Sequence, residues 1–326
     1  MRRYLRPLMQ VGPKRPAAAM QFGDCWFDQV EVLSRGASSQ VIPVSELNTQ
    51  ERARFGPRPD FPTFMGIVNV TPDSFSDGGQ HATVHAAVHH GEALLASGAG
   101  ILDIGGESTR PGAAVIAPDQ EIARTAPVIA ALRAAGVVAP ISIDTRKAAV
   151  AKAALQAGAT MVNDVSGFTF DPDLAPLCAA QKIPVCVMHA QGDPQTMQND
   201  PKYDDVLLDV FDFLKDRIAA LVHLGIPKTN IIADPGIGFG KTLDHNLALL
   251  RRISLFHGLG VPILLGASRK RFIGTLGKAP DAAARAPGSV GVALAALAQG
   301  VQIIRAHDIA DHAQAIALWR ACVAHR

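Results

Sequence analysis

Each short apolar run after residue 60 ends on a polar side chain: Asn69, Asp103, Asp144, Asn163 with Asp164, His189, Asp234, Ser268 to Lys270, and Arg305 with His307. Any chain needs polar residues to start loops and cap helices, and that ordinary demand accounts for about half of these positions. It does not account for three aspartates, Asp103, Asp144 and Asp234, recurring at one place in the pattern. Carboxylates gathered in one mouth repel each other and take up protons unless they meet cations or a ligand rich in N–H donors. Asp144, Asn163 and Asp234 offer acceptors and Lys270 adds a donor, a combination that suits a flat heterocycle with adjacent N–H and C=O groups. Arg305, His307 and Asn69 gather donors suited to phosphate, so an anionic ligand or leaving group is implied.

The elements that must position these residues follow one rhythm: a β-branched apolar run, a glycine or polar corner, then an amphipathic stretch rich in Ala and Leu. Candidate strands are Phe64 to Val70, Gly100 to Ile104, Ile141 to Ile143, Met161 to Val165, Val185 to Met188, Ile231 to Ala233, Val261 to Leu265 and Val301 to Ile304. Helical stretches follow at Thr83 to Ser97, Pro118 to Ala135, Lys147 to Ala157, Asp204 to Leu224 and Ala310 to Val323. Runs that are apolar on both faces suit parallel strands beneath covering helices. Eight such units predict an α/β fold, a (β/α)8 TIM barrel over residues 61–326, for which about 250 residues is typical and whose sites form at the C-terminal strand ends. An open doubly wound sheet is the structural alternative. Residues 1–60 stand outside the rhythm as an N-terminal extension. There Trp26 to Leu33 and Gln40 to Val44 alternate around Arg35 and Gly36, which predicts a β-hairpin that caps the barrel's N-terminal face.

The 326 residues carry 31 Lys+Arg against 29 Asp+Glu, and 48% are apolar. This composition supports a packed core and excludes a disordered chain. The near balance of charge gives no broad basic field for nucleic acid or a membrane surface. The small excess sits in residues 1–60, with nine basic and six acidic residues, whereas residues 61–326 carry 22 and 23. The most apolar stretch, Ser289 to Ile304, is shorter than the ~20 residues of a membrane-spanning helix. Cys25, Cys178, Cys186 and Cys322 show no metal or disulfide spacing and suit a reducing, cytoplasmic setting.

Several sharper motifs fail on inspection. A phosphate-binding GxxxxGK[ST] loop needs glycine at position 235, which is Pro235, and GIGFG lacks the dinucleotide fingerprint's spacing. His81, His85 and His89 recur at helical spacing, but no carboxylate or cysteine completes a metal set, so a solvated helix face explains them. His189 reads either as a pocket wall or as a satisfied strand-end histidine, and Cys186 as core. A strand-end Lys270 forming a Schiff base, with its pKa lowered by Arg269 and Arg271 and raised by Asp234, is a distant alternative.

The motifs themselves are NVTPDSFSDGG at Asn69 to Gly79, DIGGESTRPG at Asp103 to Gly112, SIDTRK at Ser142 to Lys147 and VNDVSG at Val162 to Gly167. They continue with VMHAQGDPQTMQ at Val187 to Gln198, DPGIGFGKT at Asp234 to Thr242, GASRKRFIG at Gly266 to Gly274 and RAHD at Arg305 to Asp308. Eight segments in this order resemble the dihydropteroate synthases, a family of pterin-binding barrels, throughout residues 61–326. Ala306, where valine is expected, is a small departure, and residues 1–60 match nothing in the family.

The resemblance implies condensation of a (7,8-dihydropterin-6-yl)methyl diphosphate with 4-aminobenzoate to give 7,8-dihydropteroate and pyrophosphate in folate biosynthesis, assisted by Mg²⁺. It implies that Asp144, Asn163, Asp234 and Lys270 hold the pterin, with Met188 also in that pocket, and that Asn69 and Asp77 hold Mg²⁺. Thr109, Arg305 and His307 would meet the diphosphate. Phe75, Pro111, Phe239 and Ser268 would wall the aminobenzoate pocket, and Arg110 would order the loop around pyrophosphate. Among these, Lys270, Asp144, Arg305 and His307 carry the expected catalytic roles. Small-molecule substrates, a homodimer through C-terminal helices and a cytoplasmic location complete the expectation, with neither nucleic acid nor membrane as a partner. A folate-dependent methyltransferase barrel and a pterin-binding module without catalysis are the rival readings.

Overall fold

A computed structural model describes residues 2–12, 15–56, 62–71, 79–108, 113–193 and 196–323, with the side chains of all but 79–83. The chain opens with β1 (Tyr4–Pro7), β2 (Gln10–Val11), β3 (Met20–Phe22), β4 (Cys25–Phe27), β5 (Gln29–Leu33) and β6 (Gln40–Pro43), then the short helix α1 (Thr49–Ala53). These strands form two three-stranded antiparallel sheets, ordered β1-β5-β6 and β2-β4-β3. The expected hairpin is present as β5 and β6, but the extension is more than a hairpin. Trp26 lies in β4 of the other sheet, and β1 covers the remaining edge of β5. Strands of two to four residues give too few alternations to be read as a pattern, which is why β1 to β3 escape a sequence reading. Leu5, Phe22, Phe27, Val30, Ile42 and Phe55 bury a small core of their own, and Asn48 with Glu51 closes a capping box on α1.

Eight parallel strands follow: β7 (Thr63–Asn69), β8 (Ala99–Gly105), β9 (Ile141–Asp144), β10 (Met161–Asp164), β11 (Val185–Met188), β12 (Ile231–Asp234), β13 (Leu264–Leu265) and β14 (Ile303–Ala306). They are ordered β12-β11-β10-β9-β8-β7-β14-β13, and a parallel bridge between Ala233 and Ile263 closes the ring. The helices are α2 (Gly79–Ala96), α3 (Pro118–Ala134), α4 (Ala148–Gln156), α5 (Leu174–Gln181), α6 (Val206–His223), α7 (Leu243–Arg251), α8 (Arg271–Leu276), α9 (Ala286–Leu297) and α10 (Ile309–Val323). The apolar stretch at 289–304 is most of α9 plus the start of β14, and no helix of the described residues is long and apolar enough to cross a membrane.

Strand alternation divides the barrel interior into layers. Ile101, Met161, Cys186, Ile232, Leu264 and Ile303 point inward and pack with Met65 into one apolar plug. Two residues further along each strand, on the same inward face, stand Asp103, Asn163, Met188, Asp234, Gly266 and Arg305. The outward residues between them, such as Leu102, Ile104, Ile143, Val162 and Val187, are fully buried beneath the helices. One alternation thus sets a polar layer on an apolar plug, at the C-terminal ends where barrels carry their sites.

The extension is fastened to the opposite end. The Phe22 ring lies 4.5 Å from His257, and the Cys25 thiol meets the Leu297 carbonyl at 3.3 Å, both in segments that lead into strand N-termini. Tyr4 donates to Asp212 on α6 at 2.7 Å, and Arg35 pairs with Asp209 and Asp212 at 2.7 and 2.8 Å.

Candidate active site

Arg305 is the hub of the polar layer. Its Nε donates to Asp103 Oδ2 at 2.6 Å and its Nη2 to Asp144 Oδ2 at 2.7 Å. The Asn163 amide donates to the same Asp103 oxygen at 3.1 Å. Parallel register brings these groups together, since Asn163 stands opposite Asp144 and Met188 opposite Asp234. The other oxygen of Asp103 is buried without a hydrogen-bond partner among the described residues. Burial raises the pKa of Asp144 and Arg305 pulls it back, while Arg305 itself is held above its usual value by the two carboxylates despite burial. The Arg305 charge is divided between two acids, beyond the sequence expectation of a donor aimed at phosphate.

Two glycines hollow the layer. A Cβ on Gly105 would meet Asn69 Oδ1 at 3.8 Å and Asp144 Oδ2 at 3.9 Å, and one on Gly266 would meet Asp234 Oδ2 at 3.4 Å and Arg305 Cδ at 3.9 Å. The space vacated is therefore lined by amide and carboxylate oxygens and by the arginine stem. Asp234 accepts from the Gly236 amide at 2.7 Å, and burial raises its pKa against the pull of Lys270.

Lys270 reaches this hollow from the start of α8. Its ammonium lies 4.3 Å from the centre of the Phe239 ring and donates to the Ile237 carbonyl. Burial lowers its pKa to about 8, with Asp234 raising and Arg305 further lowering it. Arg269 does not contribute as expected: it turns away at φ +56 to clamp Asp308 through two nitrogens. Ser268 and His307 meet through Oγ and Nδ1 at 2.9 Å, which joins the ends of β13 and β14.

The loop after β12 is shaped by backbone contact. Gly236 has φ +69, and a Cβ there would collide with the His189 carbonyl oxygen, so only glycine lets this loop lie against the end of β11. His189 is the satisfied strand-end histidine of the two readings. Its Nδ1 lies 2.8 Å from Lys241 Nζ, and burial followed by the Lys241 charge holds its pKa well below the usual value.

The strand-end pattern did not single out a buried network beside the site. Lys147 donates to Glu107, to Glu121 and to the Ile116 carbonyl at 3.0, 2.7 and 2.8 Å. Glu107 also accepts from the Ile116 amide at 2.9 Å and from Arg146 at 3.1 Å. Charged residues inside ESTRPG and SIDTRK were the available signal. Phe75, Asp77, Thr109, Arg110 and Pro111 lie outside the described residues, as does the side chain of His81. His85 and His89 are exposed on α2.

A closed (β/α)8 barrel with a hollow, acceptor-rich mouth and a cationic hub defines an enzyme-type barrel for a small polar ligand. The family model described as pterin binding enzyme matches residues 65–307. A dihydropteroate synthase of Synechocystis sp. is 46% identical over 260 residues, covering 78% of this chain and 90% of that one. The Xanthomonas albilineans dihydropteroate synthase solved with 4-aminobenzoic acid is 46% identical, with a TM-score of 0.76 over 81% of this chain and 93% of that one. The same enzyme in complex with 7,8-dihydropteroate gives 42% identity and a TM-score of 0.73 over 81% and 94%. The chain belongs to the pterin binding enzymes and, among them, to the dihydropteroate synthase family.

Proposed function

We propose that the chain condenses (7,8-dihydropterin-6-yl)methyl diphosphate with 4-aminobenzoate, releasing pyrophosphate and 7,8-dihydropteroate for folate biosynthesis. The observation that carries this reading is the hollow polar layer, in which Gly266 leaves space beside Asp234 and the Arg305 stem, Asn163 stands on the same inward face, and Lys270 lies within the field of Asp234 and Asp144. A pterin presents adjacent ring N–H, amino and carbonyl groups. Asp234 and Asn163 accept the N–H donors, Lys270 donates to the carbonyl side, and Met188 packs against the ring.

In the reaction the methylene C–O bond breaks, its electron pair leaves with the diphosphate, and a C–N bond forms to the aromatic amine, whose extra proton passes to solvent. Ring donation stabilises the electron-poor methylene carbon, and the Asp144 carboxylate favours that positive charge. Arg305 and His307 offer donors to the departing oxygens once Arg305 shares its charge between acids and ligand. Ser268 orients the His307 ring, and Phe239 with Ser268 would wall the aminobenzoate. No covalent enzyme intermediate and no strong base are required.

The residues suit Mg²⁺. Asn69 Oδ1 and Asp144 Oδ2 both border Gly105, so hard oxygen donors stand at the mouth, and the family resemblance adds Asp77 as a further donor. Among the described residues no cluster of three or more His, Cys, Asp or Glu forms a complete cage. A few protein oxygens plus substrate phosphates is the usual way such an ion is held. When bound it supplies Lewis-acid neutralisation of diphosphate charge.

A homodimer through α10 accords with Leu318, 63% exposed on that helix, and a cytoplasmic location accords with four unpaired cysteines. Light scattering and cell fractionation check these two points. For the site, Asp234→Ala and Asn163→Ala are expected to weaken pterin binding in calorimetry, and unchanged affinity rejects the assignment.

A further inference from the structure

The loop between β12 and α7 is pinned carbonyl by carbonyl. Ile237 accepts from Lys270, Gly238 from Gln198 at 2.5 Å, Phe239 from Lys241 at 3.0 Å and Gly240 from Tyr203 at 2.7 Å. The Gly238 amide donates to Asn246 on α7 at 2.6 Å. Loop carbonyls are ordinarily satisfied by water at the surface. Four side-chain donors in succession instead fix a backbone that could otherwise adjust.

Lys241 is the buried member of this set. Its amine meets the Phe239 carbonyl, the His189 ring nitrogen at 2.8 Å and the His189 carbonyl at 3.4 Å, with no carboxylate in contact among the described residues. Burying a lysine on such terms is costly. Burial and then the Lys270 charge hold its pKa well below the usual lysine value, although Asp234 pulls the other way. Even the neutral amine keeps two hydrogens, enough for Phe239 and His189. Its contacts therefore tie the loop to the end of β11. Gly240 shows how close the two segments lie, since at φ +60 a Cβ would stand 2.3 Å from the Gln191 carbonyl. Tyr203 closes the same contact, with its ring 6.0 Å from that of His189.

What these anchors aim is Phe239. Its side chain is partly exposed, and its ring lies 4.3 Å from the Lys270 ammonium. The carbonyl and the ring leave neighbouring atoms of one residue, so freeing the first displaces the second. A misplacement of about 1 Å at a reacting site costs up to roughly a hundredfold.

We propose that Lys241, with Tyr203, is a positioning residue that sets the Phe239 ring where the aminobenzoate docks. This rests on the condensation reading above, in which that ring walls the amine substrate. Loss of the anchors should therefore harm amine capture and spare the pterin, which the strand residues Asn163 and Asp234 hold.

The test compares wild type with Lys241→Met, Tyr203→Phe, Phe239→Leu and the double variant Lys241→Met/Phe239→Leu. It combines kinetics in both substrates, calorimetry with a pterin lacking diphosphate, and hydrogen exchange of the 236–242 amides. Lys241→Met is expected to raise the KM for 4-aminobenzoate by about tenfold or more and Tyr203→Phe by about two- to fivefold, with pterin affinity within about twofold of wild type. In the Phe239→Leu background, Lys241→Met should change that KM by less than about twofold, because no ring remains to be placed. The 236–242 amides should exchange faster in both anchor variants. If Lys241→Met does not fold, Tyr203→Phe decides alone. An unchanged aminobenzoate KM, a parallel loss of pterin affinity, or a full Lys241 effect in the Phe239→Leu background would each overturn the proposal. Wild type without amine-dependent pyrophosphate release would instead overturn the condensation reading, and unchanged exchange in the anchor variants would still overturn the anchor.

Discussion

Replacing Lys270 with methionine should separate stability from function in opposite directions. In the free protein Lys270 drops from a usual value of 10.5 to about 8, chiefly because burial disfavours its charge. Holding that charge at neutral pH therefore costs the folded state about 3 kcal/mol. Methionine keeps the stem that passes Gly238 but gives up the bond to the Ile237 carbonyl and the contact with the Phe239 ring, together about 1–2 kcal/mol. Lys270→Met is thus expected to stabilise the free protein by about 1–2 kcal/mol at neutral pH. The sign follows from proton counts. Unfolded lysine stays protonated up to 10.5 while the folded one releases its proton from about 8. Wild-type stability therefore rises with pH across that window, and the variant's advantage disappears by its upper end. Urea unfolding of both proteins at neutral and alkaline pH measures this. The same variant loses a charged donor to the pterin, which should weaken pterin binding by about ten- to a hundredfold in calorimetry. A variant less stable than wild type at neutral pH, or a difference independent of pH, would refute the desolvated-cation argument. Unchanged pterin affinity would remove Lys270 from the site.

Gly236→Ala should cost about 2–4 kcal/mol, because a side chain there meets the His189 carbonyl at a left-handed backbone angle; an unchanged melting temperature contradicts this. Asp103→Asn leaves Arg305 with one full carboxylate partner and should lower turnover by about tenfold or more, measured as initial rates. Tyr4→Phe with Arg35→Ala removes the Tyr4 and Arg35 bonds to Asp209 and Asp212 and leaves the Arg2–Asp212 pair, at a cost of about 1–2 kcal/mol in urea unfolding and with turnover unchanged. Chelation of Mg²⁺ should suppress turnover while leaving calorimetric binding of a pterin without diphosphate intact.

The barrel was legible because parallel strands buried on both faces leave continuous apolar runs, and Val185 to Met188 coincides with β11 from end to end. The polar layer was legible for a related reason. In β9, β10, β12 and β14 the inward position at the mouth is the residue on which the run ends, so Asp144, Asn163, Asp234 and Arg305 stand out. What the residues conceal is pairing. That Arg305 holds Asp103 and Asp144 at once depends on strands far apart in the chain, and nothing local marks it. Helix α9 was concealed differently: Ala286 to Leu297 is apolar around most of its circumference, so it lacks the stripe that marks a helix. Strand β13 shrank to Leu264–Leu265 because its neighbour across the closure contributes one bridge, Ala233 to Ile263. The extension's two sheets rest on contacts with the barrel base that no run of short strands could announce.

The most direct measurement is pyrophosphate release from purified protein given (7,8-dihydropterin-6-yl)methyl diphosphate, Mg²⁺ and 4-aminobenzoate. The account predicts release that requires the amine and matches dihydropteroate formed mole for mole, and that falls when Asp234 or Lys270 is replaced. Tight pterin binding with no amine-dependent release would contradict it and leave a binding module in place of a synthase.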